Sequence, residues 1–207
     1  MQAAKIEFWY DFASTYSYLS AMRIEALAAA NGLIVEWKPF LLGPIFKAQG
    51  WDTSPFNIYP AKGRYMIRDI KRSAAALGLP FHAPEPFPQH SLAAARMALA
   101  AAEYGAISAF TRAVFTAQFA EARNIGDPAT LLAALQEVAS TSGLDVARIS
   151  ARSGDTAIKE QLRAQSAEAS RLGLFGAPSF RTIDGELFWG DDRLDQAVAW
   201  AQATADG

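Results

Sequence analysis

The stretch Lys5-Ile6-Glu7-Phe8-Trp9-Tyr10-Asp11-Phe12-Ala13-Ser14-Thr15-Tyr16-Ser17-Tyr18-Leu19 decides the fold. Ile6, Phe8 and Tyr10 alternate with Glu7 and Trp9, the period of a strand over 5–10. Asp11 to Ser14 break that period, and Ser14 or Thr15 is a suitable N-cap for a helix. From Tyr16 to Ala30 the spacing of Leu19, Met22, Leu27 and Ala30 is helical, and Asn31-Gly32 ends the run. Residues 34–40 read as a second strand. A helix between two strands predicts a right-handed crossover and therefore a parallel pair.

Working outward, residues 43–60 are rich in Gly, Pro and aromatics and read as an irregular connection. A block of helices comes next. The first covers 61–77 and stops at Gly78, with Pro80 beyond. Two more cover 92–104, stopped by Gly105, and 107–122. Asp127-Pro128 is an N-cap with proline at the first helical position, opening a helix that ends near Gly143. The last two cover 145–152 and 156–172. The chain then returns to sheet, with strands at 179–184 and 186–190 around a two-residue turn at Asp184-Gly185. A final amphipathic helix comes after Asp191-Asp192. The order βαβ, helices, ββα predicts an α/β thioredoxin-like domain, 1–42 plus 173–207, interrupted by an all-helical insertion, 43–172.

Composition narrows the function. The 207 residues are 51% apolar and 19% charged, enough for a full core that buries roughly 70% of the unfolded surface. A net charge of −2 offers no electrostatic footprint for nucleic acid or an anionic membrane. The chain has no Cys, which excludes a disulfide framework, a thiolate metal site and a dithiol redox centre of its own. With two His, no metal site is expected. No leader is visible before the first strand and no run is long and apolar enough for a membrane span, so a cytoplasmic location is expected.

Four groups of residues carry candidate chemistry. Ser14 stands where the first strand gives way to the first helix, and Ser14-x-x-Ser17 has the spacing of the Cys-x-x-Cys pair of a thioredoxin-type site. A hydroxyl at a helix N-terminus suits an incoming thiolate; on position alone a plain N-cap explains it as well. Ala177-Pro178 opens a strand, where a constrained bend would leave backbone groups for an extended ligand. Trp189-Gly190-Asp191-Asp192-Arg193 places two acids at a helix N-terminus, for capping or for a ligand ammonium. Lys47, Asn57 and Lys62 lie in or beside the aromatic connection; the lysines read equally as solvated charges or as holders of a carboxylate. His82 and His90 read as surface or packing residues. Arg64, Arg68, Asp69, Lys71 and Arg72 read as a solvated helix face.

Taken in order, these motifs resemble the 2-hydroxychromene-2-carboxylate isomerases, which belong with the kappa-class glutathione transferases in the DsbA-like branch of the thioredoxin fold. The pieces are Phe8 to Ser14, Tyr16 to Leu19, Asn57 to Lys62, Tyr65 to Ile70, Gly78 to Phe81, Gly176-Ala177-Pro178 and Phe188 to Leu194. The resemblance implies that Ser14 holds the glutathione thiolate and that Ala177, before a cis Pro178, pairs with the glutathione backbone. It implies that Trp189, Gly190, Asp191 and Asp192 hold the γ-glutamyl end, and that Lys47 and Asn57 face the substrate carboxylate, with Lys62 nearby a further candidate to bind it. It further implies a homodimer, a small aromatic oxo-acid substrate from aromatic hydrocarbon catabolism, and a reaction in which thiolate addition opens the ring, the new single bond rotates, and elimination gives trans-o-hydroxybenzylidenepyruvate. Two residues depart from the family pattern: Thr15 replaces the usual proline after the serine, and Asp191 replaces an asparagine. A kappa-like transferase that conjugates electrophiles and a non-catalytic thioredoxin-type binding module are the alternatives.

Overall fold

A computed structural model describes residues 4–205. The first strand, β1 (Ala4–Tyr10), leads through a short bend into α1 (Thr15–Ala30), and β2 (Leu33–Pro39) returns parallel to it. The chain comes back to the sheet only with β3 (Ser179–Thr182) and β4 (Leu187–Trp189). The strand order is β2-β1-β3-β4, with β3 antiparallel to both neighbours. β1 is therefore interior, and its two faces bury different side chains. Ile6, Phe8 and Tyr10 point to one core, where Phe8 stacks on Tyr10 and on Phe180. Trp9 points the other way, against Phe40, Ile45, Ala169 and Leu174. Burying each such Phe or Leu is worth about 1.5–3 kcal/mol, which is why this short strand organises the molecule.

Between β2 and β3 come α2 (Leu42–Ala48), α3 (Pro55–Ile58), α4 (Pro60–Ala76), α5 (Leu92–Ala102), α6 (Ile107–Phe115), α7 (Pro128–Ser142), α8 (Val146–Ser153) and α9 (Thr156–Arg171). After β4, one 3₁₀ turn (Asp191–Arg193) enters α10 (Leu194–Ala205). α7 has the ends its sequence specifies: Asp127 accepts the Ala129 N–H at 2.9 Å, and Gly143 takes the left-handed conformation at φ +69°.

Three expectations need correction. Residues 43–60 are not irregular throughout, because α3 lies within them and α2 runs into them from Leu42. The first turn of α2 has no local side-chain cap; instead the Leu42 N–H donates to the Asp11 carboxylate at 2.7 Å, from 31 residues away. The helix expected over 107–122 stops at Phe115 and widens into a π-helical turn, Thr116–Ala120. The wider turn keeps Phe119 against Tyr18 and Phe81, with ring centroids 5.4 and 5.9 Å away. The Asp184-Gly185 turn is one residue longer than expected. Thr182 N–H donates to Glu186 O, and Gly185 N–H to Thr182 O, so Ile183, Asp184 and Gly185 form the loop, with Gly185 at φ +91°. Asp184 is held there by the Thr182 hydroxyl and by the Trp200 indole N–H.

Candidate functional site

Ser14 is the N-cap of α1. Its Oγ accepts the Ser17 N–H at 3.2 Å and donates to the Ala177 carbonyl oxygen at 2.8 Å. The first turn of α1 contains no acidic residue, so no carboxylate there offsets the positive end of the helix dipole. The Ala177–Pro178 peptide is cis. Pro178 is buried, Ala177 is half-buried, and the Pro178 carbonyl accepts the Gly190 N–H at 3.0 Å. Hydrogen bonds thus join Ser14 to Ala177-Pro178, 163 positions later, and Ala177-Pro178 to the Trp189–Asp191 turn.

The turn is fastened from its other side. The Asp191 carboxylate accepts the Ser20 hydroxyl at 2.7 Å and faces Arg23 Nε at 3.4 Å. Arg23 also donates to the Asp191 carbonyl at 2.8 Å and pairs with Asp195. Burial raises the Asp191 pKa; the Ser20 hydroxyl and Arg23 pull it down, without reversing the shift. Asp191 is consequently turned toward α1, whereas Asp192 is exposed and, among the described residues, pairs only with its neighbour Arg193 at 3.1 Å. Trp189 is 52% exposed and meets the ring of Phe175 edge-on at 4.8 Å. A β-carbon at Gly176 would collide with the Trp189 indole, so glycine there lets the indole lie over the backbone beside Ala177.

Asp11 supports the loop from beneath. It is 3% exposed. One carboxylate oxygen accepts the Ala13 N–H at 2.9 Å and the other the Leu42 N–H, while its own carbonyl accepts the Ser14 N–H at 2.9 Å. Burial pushes its pKa up, opposed by those two N–H groups and by a hydrogen bond from Ser91. Thr15, one of the two departures from the family pattern, uses its hydroxyl to reach Met66 Sδ on α4 at 3.4 Å, a bond that proline could not make.

Lys47, Asn57 and Lys62 are all exposed, and no hydrogen bond joins any two of them among the described residues. Lys47 is in the last turn of α2. Asn57 Nδ2 donates to Thr53 Oγ1 and the Phe87 carbonyl, and Lys62 Nζ sits 5.2 Å over the ring of Tyr59. The helix that carries Lys62, α4, is drawn to α1 by the Thr15–Met66 bond and by Tyr16, whose hydroxyl donates to Asp69 at 2.8 Å. Asp69 therefore does more than belong to a solvated face: the Tyr16 hydroxyl, then Arg72, lower its pKa. His82 and His90 are exposed.

Sequence reasoning placed Asp11 and Gly176 inside its motifs without giving either a role, and it did not single out Ser20, Arg23 or Phe175. Only Asp11 carried a local signal, a lone carboxylate between an apolar strand and a capped helix. The others act through tertiary contacts.

The model of the DSBA-like thioredoxin domain matches residues 5–199. A 2-hydroxychromene-2-carboxylate isomerase from Sphingobium xenophagum is 30% identical over 198 residues, covering 92% of this chain and 94% of that one. Human glutathione S-transferase kappa 1 is 26% identical over 200 residues, covering 92% of this chain and 87% of that one. The solved structure of a 2-hydroxychromene-2-carboxylate isomerase superposes with a TM-score of 0.78 at 26% identity, over 98% of each chain.

Proposed function

This chain belongs to the 2-hydroxychromene-2-carboxylate isomerase family of DSBA-like thioredoxin-domain proteins, and on that premise we propose that it is a glutathione-dependent isomerase of 2-hydroxychromene-2-carboxylate-type acids. The observation that carries the reading is the Ser14 hydroxyl. It occupies the N-cap of α1, beside the Ala177-Pro178 bend, in a chain without cysteine.

The residues present fit a tripeptide thiol. The free N-terminal end of α1 and the Ser14 hydroxyl both favour a sulfur anion over a neutral thiol, which lowers the thiol pKa. Ser14 Oγ keeps the Ser17 N–H as its donor and turns its own proton from Ala177 O to the sulfur. Ala177 lies along the extended ligand backbone. Asp192 meets the ligand ammonium, and Asp191, held by Ser20 and Arg23, fixes the turn that presents it. Glutathione supplies the nucleophile that adds to the conjugated acid and later leaves it. Lys47, Asn57 and Lys62 hold the substrate carboxylate, and donors fixed near developing charge give the largest electrostatic gain. A homodimer is part of the same reading, checked by light scattering.

The test mixes protein, glutathione and 2-hydroxychromene-2-carboxylate and tracks the absorbance of the ring-opened product. Turnover that requires glutathione supports the reading. The likeness to a kappa-class transferase favours a second reading, conjugation of electrophiles, and turnover of 1-chloro-2,4-dinitrobenzene alone would select it. Binding of glutathione without either turnover would leave a binding module.

A further inference from the structure

A second concave site lies between α9, the start of α5 and the N-cap and first turn of α2, Leu41 to Pro44. It is a cleft of about 370 Å³, within the range of small-ligand pockets. None of its lining residues belongs to the Ser14–Ala177–Trp189 assembly, and none is Lys47, Asn57 or Lys62. Leu41, Pro44 and Leu162 give it an apolar side, and Arg96, Lys159 and Arg163 give it a cationic one.

The charges in this cleft are unbalanced. Arg23, Arg112, Arg152 and Arg171 each pair with an acid elsewhere in the molecule. Arg96, Lys159 and Arg163 form no such pair among the described residues. Lys159 and Arg163 stand four apart on α9, a spacing that sets like charges against each other. Arg96 is the sharpest case: its Nε is buried without a hydrogen-bond partner among the described residues, and a buried guanidinium donor without an acceptor is costly. The repulsion between Lys159 and Arg163 would be relieved by one anion in the cleft, which Arg96 also lines. A guanidinium fork matches a planar carboxylate, and the leucine and proline side favours an anion with a flat hydrocarbon body.

We propose that this cleft is a binding site for an aryl carboxylate, held by Arg96, Lys159 and Arg163 with its ring against Leu41, Pro44 and Leu162. The floor of the site is wired to the catalytic loop through consecutive backbone groups. Leu41 N–H donates to Ser166 Oγ in the cleft at 3.2 Å, and the next N–H, of Leu42, donates to Asp11, which holds the loop of Ser14.

The probe is sodium 2-naphthoate, titrated into the intact protein by calorimetry. The cleft's share of the binding is the part lost in Lys159→Gln/Arg163→Gln, a pair of exposed substitutions that spare the fold. That variant, and separately Arg96→Gln, is expected to weaken naphthoate by about tenfold to a hundredfold, as loss of a charge-assisted hydrogen bond does. Lys62→Gln is expected to leave this component unchanged, which separates it from any naphthoate held at the proposed substrate site. Inorganic phosphate and 2-naphthylmethanol, each lacking half of the ligand, are expected to bind more weakly. The proposal is overturned by no binding at millimolar naphthoate, by affinity that survives the double variant and falls in Lys62→Gln, or by phosphate or the alcohol binding as tightly as the acid.

Discussion

Ser14 and Ala177 meet through a single hydrogen bond of 2.8 Å, from the N-cap hydroxyl of α1 to the carbonyl before the cis proline. The same oxygen accepts from Ser17 N–H, so it caps a helix and spans two segments at once. Its proton is committed to a carbonyl that a stronger acceptor, a thiolate, can displace.

Ser14→Ala therefore separates capping from chemistry. Losing the cap should cost about 1 kcal/mol of stability. Losing a hydrogen bond to a charged sulfur, worth about 1.5–3 kcal/mol, should raise the pKa of bound glutathione by roughly one to two. Turnover near neutral pH should fall roughly tenfold to a hundredfold and recover in part at higher pH. Thiolate absorbance, titrated with glutathione bound, reads the first effect; an unchanged thiol pKa with unchanged turnover would reduce Ser14 to a cap.

Glutathione itself should stabilise the fold. At a hundredfold excess over its dissociation constant, linkage adds about 2.7 kcal/mol, visible as a rise in melting temperature. No rise at millimolar glutathione, with no calorimetric heat, argues against the ligand assignment.

The Arg23–Asp191 pair should show energetic coupling. Arg23→Gln leaves a carboxylate that is only 13% exposed with the Ser20 hydroxyl as its remaining partner, and should cost about 1–3 kcal/mol. In an Asp191→Asn background the same change should cost about 1 kcal/mol less, because no buried charge is left behind. Urea unfolding of the four proteins closes the cycle; additive costs would mean that the pair does not fasten the turn.

Gly176→Ala should be destabilising by about 1–3 kcal/mol through overpacking against the Trp189 indole. Trp189→Ala in the same chain should remove most of that cost. If the penalty persists without the indole, the glycine is needed for some other reason.

Asp11 gives a pH signature. Its folded pKa lies above the ordinary carboxylate value, so the unfolded chain gives up this proton first. The stabilising contribution is complete below about pH 3.9, the unfolded value, and is lost as pH rises through the folded value. The stability of the wild type relative to Asp11→Asn should fall across that interval and then level off. Urea melts at a series of pH values measure it, and a gap widening in favour of the wild type with rising pH would show instead that the anion is the preferred buried form.

What the sequence made legible was whatever its local chemistry determines. Alternation from Ile6 to Tyr10, the stop at Asn31-Gly32 and the Asp127-Pro128 start of α7 are local signals, and the elements obey them. Ser14 was legible for the same reason, since an N-cap is a property of a few adjacent residues. α2 was hidden because its cap, Asp11, lies 31 residues away. α3 was legible and overlooked: Ser54-Pro55 is a cap with a first-position proline, and Ser54 Oγ accepts the Phe56 N–H at 3.3 Å. The π-helical turn was invisible, because Phe115 and Phe119 keep the four-residue spacing of an ordinary helix. Arg23 reads as one more surface arginine until Asp191, 168 positions later, is placed against it.

The interior position of β1 also sets a timetable. Its second neighbour, β3, belongs to the last fifth of the chain, and Ala177 comes 163 positions after Ser14. At cellular rates of synthesis that gap is on the order of ten to thirty seconds. Throughout that time the nascent chain holds its most aromatic strand with one open edge, where another strand could pair. Ribosome-bound chains stopped before Ser179 should therefore recruit chaperones that shield exposed strands, and those extended past Trp189 should release them.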